Sequence, residues 1–144
     1  MIFKISPLLG VNDIKFGMSI DEVRARLAAE FHTFNRNLGI GGKEDFLPTD
    51  SYQDLGFFCH FTSGGFLEAM DFFPPSRPML EGVELIGMPV EEGTLLLKRL
   101  DPAVAIDSDG VTSDRLSLGF REDMEADEDD PRVGSFFVGR LGYY

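Results

Sequence analysis

Leu55-Gly-Phe-Phe-Cys-His-Phe61, then Thr62-Ser-Gly-Gly65, then Phe66-Leu-Glu-Ala-Met-Asp-Phe-Phe73 is the stretch whose reading decides the fold. In the first run Leu55, Phe57, Cys59 and Phe61 alternate onto one face, the period-two pattern of a half-buried strand. The glycines between the runs supply the positive φ that hairpin loops require. Two apolar runs joined by so short a loop pair as an antiparallel hairpin, because a parallel pair needs a long crossover.

Working outward, the best-defined neighbouring element is a helix. Ser19-Ile-Asp-Glu22 has the S-x-x-E form of a capping box, with Met18 and Val23 at the hydrophobic-staple positions. Ile20, Val23, Leu27 and Phe31 recur at helical spacing with Arg24 and Arg26 pointing away, which predicts a helix over residues 20–30. A second helix is predicted over residues 89–100. Pro89 suits its first position, Glu91 and Glu92 its positive end, and Lys98 and Arg99 its negative end. Residues 2–5 and 14–16 read as extended, residues 35–51 as a long loop, and residues 83–86 as a short apolar piece. Asp109-Gly110 suits a type I′ turn between residues 103–106 and 111–120, and residues 135–144 read as a closing strand. No repeat of fixed period and no linker stands out. The expectation is an α+β protein, one domain over residues 1–144, with two helices packed on a mostly antiparallel sheet.

A chain of 144 residues that is 43% apolar is long enough to bury a self-sufficient core. The single cysteine, Cys59, excludes an intrachain disulfide and points to a reducing compartment. The first residues lack the pattern of a secretory leader, and no run of about eighteen apolar residues occurs. A cytoplasmic protein is expected. With 25 Asp and Glu against 13 Lys and Arg, the formal net charge is -12, which disfavours nucleic acid and anionic membranes as partners and favours a basic protein.

Candidate chemistry is sparse. Cys59 and His60 are neighbours on a strand, so they point to opposite faces and cannot form a nucleophile–base pair. His32 reads as a surface or helix-end residue and His60 as a sheet-face residue; neither belongs to a zinc pattern. Asp107-Ser-Asp-Gly110 fails as a calcium loop, because Ala105 and Leu116 would fall at the first and twelfth ligand positions. Gly39-Ile-Gly-Gly-Lys43 fails as a phosphate loop, because Asn37 and Glu44 stand where Gly and Ser or Thr are needed. No enzyme, cofactor or metal site is expected; a carboxylate-based metal-dependent enzyme is the weakest of the alternatives.

The strongest functional signal is Arg121-Glu-Asp-Met-Glu-Ala-Asp-Glu-Asp-Asp130, seven carboxylates in ten residues. Charge at this density stays in water or meets a cation. The run is not terminal: Phe136, Phe137, Tyr143 and Tyr144 follow and pin it. Glu81, Glu84, Glu91 and Glu92 extend the negative field. Glu122, Asp123, Glu125, Asp127, Glu128, Asp129 and Asp130 are therefore the candidate partner-binding residues, with residues 36–50 as a second surface.

Ile14-Lys-Phe-Gly-Met-Ser-Ile-Asp-Glu-Val23, the Phe-rich hairpin, the Asp109-Gly110 turn and the Gly-Tyr-Tyr end together give a chain that resembles the small acidic immunity proteins of bacterial polymorphic-toxin and contact-dependent inhibition systems. The resemblance implies a non-enzymatic protein that binds one cognate toxin domain, basic and of nuclease or deaminase type, and occludes its active site. An acidic adaptor or regulatory module for another basic protein is the alternative expectation. Neither reading fixes an oligomeric state.

Overall fold

The computed structural model describes residues 2–36 and 46–144. Among them are two helices and two sheets, where the sequence reading anticipated one sheet. The smaller sheet is built from β1 (Ile2–Ser6), β2 (Gly10–Val11), β3 (Ile14–Lys15), β8 (Arg77–Leu80) and β9 (Val83–Glu84), in the order β3-β2-β1-β8-β9. Only β1 and β8 pair in parallel. The larger sheet contains β4 (His32–Asn35), β5 (Pro48–Tyr52), β6 (Phe57–Phe61), β7 (Leu67–Phe72), β10 (Ala105–Ile106), β11 (Gly110–Ser113), β12 (Leu118–Glu122) and β13 (Val133–Gly139). Its order, β10-β11-β12-β13-β7-β6-β5-β4, is antiparallel throughout.

The expected hairpin is β6 and β7, with Phe57 opposite Phe72 and Cys59 opposite Met70. The first helix, α1 (Ile20–Leu27), is capped as anticipated: the Glu22 amide donates to the Ser19 hydroxyl at 3.2 Å. It stops earlier than the apolar spacing predicts, because Ala28 turns left-handed at φ 47°, and Phe31 lies outside it. The second helix, α2 (Val90–Leu100), starts one residue later than predicted, with Pro89 at the cap. Residues 111–120 form not one strand but most of β11, a turn at residues 114–117 and the start of β12, and residues 35–51 are not all loop, since they include β5, which is largely buried. Gly110 closes the β10–β11 turn without a positive φ. The Asp107 carboxylate shapes that turn instead, accepting from the amides of Asp109 at 2.7 Å and Gly110 at 2.9 Å.

A repeat is present that no fixed period exposes. Each half of the chain runs helix, then four antiparallel strands: α1 with β4 to β7, and α2 with β10 to β13. The same backbone clamp ties helix to last strand in both halves. The Gly17 amide donates to the Leu67 carbonyl, the Leu67 amide to Met18 and the Ile20 amide to Gly65, each at 2.8 Å. In the second half the Gly87 amide donates to Val133 at 2.8 Å, Val133 to Met88 at 2.9 Å and Val90 to Pro131 at 3.0 Å. Even the register irregularity recurs, between His60 and Phe61 in β6 and between Arg121 and Glu122 in β12. Corresponding positions are offset by 70 at the helix caps (Gly17 and Gly87) but by 66 at the last strands (Leu67 and Val133), so loops of unequal length hide the repeat.

One hydrophobic cluster runs through both sheets, including Phe3, Val23, Phe57, Phe72, Leu97, Phe120 and Phe136. Val23 of α1 and Leu96 and Leu97 of α2 belong to it, as the amphipathic helix patterns require. Two polar side chains, Asp50 and Tyr52, are buried on this core-facing side of β5. Asp50, 0% exposed, accepts two hydrogen bonds from the Arg24 guanidinium, at 2.7 and 2.9 Å, and a third from the Thr33 hydroxyl at 2.7 Å. Arg24 therefore points inward, opposite to the sequence expectation. Its lateral partner lies in a strand 26 residues away, which helical periodicity cannot reveal.

Replacing Asp50 leaves the guanidinium and the Thr33 hydroxyl without their acceptor. Because Arg24 retains 29% side-chain exposure and so partial hydration, Asp50→Ala is expected to cost about 2–3 kcal/mol in urea unfolding. A loss under about 1 kcal/mol would show that the pair does not tie α1 to the sheet.

Candidate functional site

The acidic run leaves β12 at Glu122 and rejoins the sheet at Val133. Its base is closed by the Asp123 amide donating to the Arg132 carbonyl at 2.8 Å. Inside are two turns of one design. Asp123 Oδ1 accepts from the Glu125 amide at 3.0 Å, and Asp127 Oδ1 from the Asp129 amide at 3.1 Å. The carbonyls of Asp123 and Asp127 accept from Ala126 at 3.2 Å and Asp130 at 2.9 Å. Aspartates are suited to such turns because the short side chain bonds the backbone two residues on. The run is thus a shaped loop that spends two carboxylate oxygens on its own turns.

Arg132 holds the far end, donating to Asp130 Oδ2 at 2.9 Å and to the Gly87 carbonyl at 3.3 Å. Asp130 is the one carboxylate of the seven with a cationic partner among the described residues. Glu122, Asp123, Glu125, Asp127, Glu128 and Asp129 have none there, and all but Glu122 are exposed. Met124 stands 83% exposed among them. Of the seven candidate residues predicted from the sequence, Glu122 ends β12 and the other six lie on the loop that follows. Among the described residues no three His, Cys, Asp or Glu side chains converge in a group that could hold a metal ion.

The internal repeat supplies a control for this loop. Residues 62–66 make the same connection in the first half, with the same register shift and the same clamp to a helix cap, in five residues without a carboxylate. Residues 123–132 use ten. The extra length and the charge are not needed to close the hairpin.

The second predicted surface divides. Residues 37–45, including the rejected phosphate-loop motif, lie outside the described residues. Arg36 turns inward, donating to Thr49 Oγ1 at 2.9 Å and Glu68 Oε2 at 3.1 Å, and Pro48, Thr49 and Asp50 are buried. These four do not form a docking surface.

Cys59 and His60 face opposite sides of the sheet, as strand geometry requires. The Cys59 thiol is fully buried, and burial pushes its pKa well above the ordinary value, with the Asp50 charge adding to the effect. His60 enters an arrangement invisible in the sequence: Nδ1 lies 2.8 Å from Thr49 Oγ1 and Nε2 lies 2.8 Å from Asp71 Oδ2. A hydroxyl, an imidazole and a carboxylate in line have the connectivity of a hydrolase triad. The hydroxyl, however, is 0% exposed and already accepts from Arg36, and the Tyr143 ring lies nearly parallel over the imidazole at 6.5 Å. No substrate carbonyl reaches that oxygen, so the arrangement is a satisfied polar network. His32, by contrast, is exposed on β4.

The face of the larger sheet opposite the main core carries aromatic residues where an antiparallel sheet commonly turns polar side chains to water. Phe34, Phe58, Phe73 and Phe137 share it with His60, Asp71 and Arg121. Residues 140–144 fold back over part of this face. The Tyr144 hydroxyl donates to Asp71 Oδ1 at 2.8 Å, its amide donates to Ser117 Oγ at 3.0 Å, and its ring lies 4.4 Å from that of Phe137. Gly119 makes room for this packing: a Cβ there would fall 2.2 Å from the Val111 carbonyl and 2.6 Å from the Phe137 ring. Two cavities, of about 320 and 300 Å³, lie side by side with Phe58 and Phe73 as shared walls, and the first, lined also by Asp71, Arg121, Phe137 and Tyr144, is the aromatic trough of this face. Sequence reasoning assigned no binding role to these residues; Phe137 and Tyr144 figured there as pins of the acidic run. The available signal was Phe on both faces of the 57–61 strand and at both 136 and 137.

Compared with protein-family models, with curated proteins and with solved structures, the chain finds no match. Among the described residues no helix is long and apolar enough to cross a membrane.

Burial raises the Tyr144 hydroxyl pKa far above that of a free tyrosine, and the neighbouring Asp71 charge raises it further. The folded value exceeds the unfolded one, about 10, so the contribution is complete below about pH 10 and is lost as pH rises beyond it. Wild-type stability is therefore expected to fall more steeply above pH 10 than that of Tyr144→Phe, in urea unfolding at stepped pH. Equal slopes would contradict the placement of this hydroxyl.

Proposed function

We propose that the protein is a non-enzymatic immunity protein that binds a basic bacterial toxin domain through the loop of residues 122–130. The observation that carries this reading is the doubled, carboxylate-rich connection in the second half, where a five-residue neutral loop closes the equivalent hairpin in the first. Six carboxylates without cationic partners among the described residues repel one another, and that repulsion opposes folding. A cationic surface relieves it, so the loop favours association with a basic partner.

In this mechanism the charge acts first on encounter. A negative field concentrated on one loop of a protein with net charge -12 draws a basic domain toward it and orients it before contact. The turns centred on Asp123 and Asp127 limit the ordering entropy lost on docking, since the backbone is already held. Blocking the toxin then requires only that the docked body cover its active site; no bond is made or broken.

The reading is tested by co-expressing the chain with the product of a neighbouring large toxin gene, purifying the complex, and measuring association by stopped flow. The on-rate is expected to fall about tenfold or more from low to high salt. Failure of the two proteins to co-purify, or a flat salt dependence, would overturn it.

A further inference from the structure

We propose that the aromatic trough on the outer face of the larger sheet receives an aromatic side chain of the basic partner, flanked there by lysine or arginine. This rests on the proposed binding function and names the anchor that charge alone does not supply. The trough is walled by Phe58, Phe73, Phe137 and Tyr144, with Asp71 and Arg121 among its lining groups. Phe34, 39% exposed, continues the apolar surface beyond Phe58. Phe137 forms the buried floor of the trough, and the half-buried rings of Phe58, Phe73 and Tyr144 present its accessible apolar edges.

The charge around the trough selects the occupant. Asp71 is 37% exposed at its side chain and accepts one hydrogen bond at each oxygen, from Tyr144 at Oδ1 and His60 at Oδ2, so lone pairs remain for a cation. The Arg121 guanidinium stacks over the Phe137 ring at 5.1 Å and lies 3.9 Å from Asp107, which offsets its charge. Arg121 sits opposite Ser135, and the acidic loop starts at the next residue, Glu122. Asp71 is thus the carboxylate within the trough, and the acidic loop follows Arg121, at the trough's edge, in the chain. An acidic or phosphorylated segment would meet that loop with like charge. A basic segment meets it with opposite charge, and an aromatic side chain fits walls that offer ring faces and edges. Aromatic anchors in a desolvated centre with charge at the rim are the arrangement from which interfaces draw most of their binding energy.

Two peptides test this by NMR titration of the full chain: acetyl-Lys-Lys-Phe-Lys-Lys-amide and the same peptide with Ala for Phe. The Phe peptide is expected to shift the amides of Phe58, Asp71 and Phe137 and to bind at least fivefold more tightly than the Ala peptide. Ser135→Trp, which fills the trough, is expected to abolish that difference while leaving shifts in residues 122–130. If Ser135→Trp does not fold, Asp71→Asn serves, with a loss of at least threefold in affinity for the Phe peptide. Equal affinities with shifts confined to residues 122–130 would overturn the trough and leave the acidic-loop reading standing. Shifts at the trough without any at residues 122–130 would support the trough and count against that reading. Absence of shifts at the trough with both peptides would overturn the present proposal.

Discussion

Antiparallel pairing of β7 with β13 is the interaction on which the larger sheet depends. Each half of the chain builds a four-stranded meander whose last strand would otherwise be an open edge, with unpaired amides and carbonyls. The two edges satisfy each other, placing Phe72 opposite Phe136 and Met70 opposite Val138. Both pairs are buried in the common cluster, so the seam is apolar on the core side. The backbone clamps then fix each helix cap to a seam strand, α1 to the start of β7 and α2 to the start of β13. The acidic loop inherits its position from this arrangement, since it ends where β13 enters the centre of the sheet.

What was legible in the sequence is what depends on near neighbours. Ser19 and Glu22 lie one helical turn apart, so the cap could be read directly. Phe57, Cys59 and Phe61 alternate within one strand, so the hairpin could be too. The place of β13 beside β7 could not, because nothing local says that the last strand inserts between Phe72 and Phe120. Arg24 reads as a surface residue because its partner, Asp50, lies on a strand that reads as loop. The repeat is not legible in the sequence because its halves diverge in loop length and side chain, Val23 standing where Gly93 stands in the second helix.

The candidate site was legible to a similar extent. The seven carboxylates declare themselves by density, and six of them stand exposed on the loop that follows Glu122. That the loop exceeds what its hairpin needs becomes visible only when residues 62–66 are laid beside it. The aromatic trough and the Thr49–His60–Asp71 network were not legible, because each draws on residues from several strands. Cys59 and His60 show the same principle in reverse: adjacency in the chain separates them across the sheet.

In the proposed function the acidic loop is an addition to a scaffold that folds without it. The direct measurement is the urea unfolding free energy of a variant whose residues 123–132 are replaced by a copy of residues 62–66. Since the clamp and the register shift are the same in both halves, the variant is expected to keep its stability within about 1 kcal/mol, or to gain as carboxylate repulsion is removed. A loss greater than about 3 kcal/mol, or failure to fold, would mean that the loop is part of the scaffold, contrary to the account.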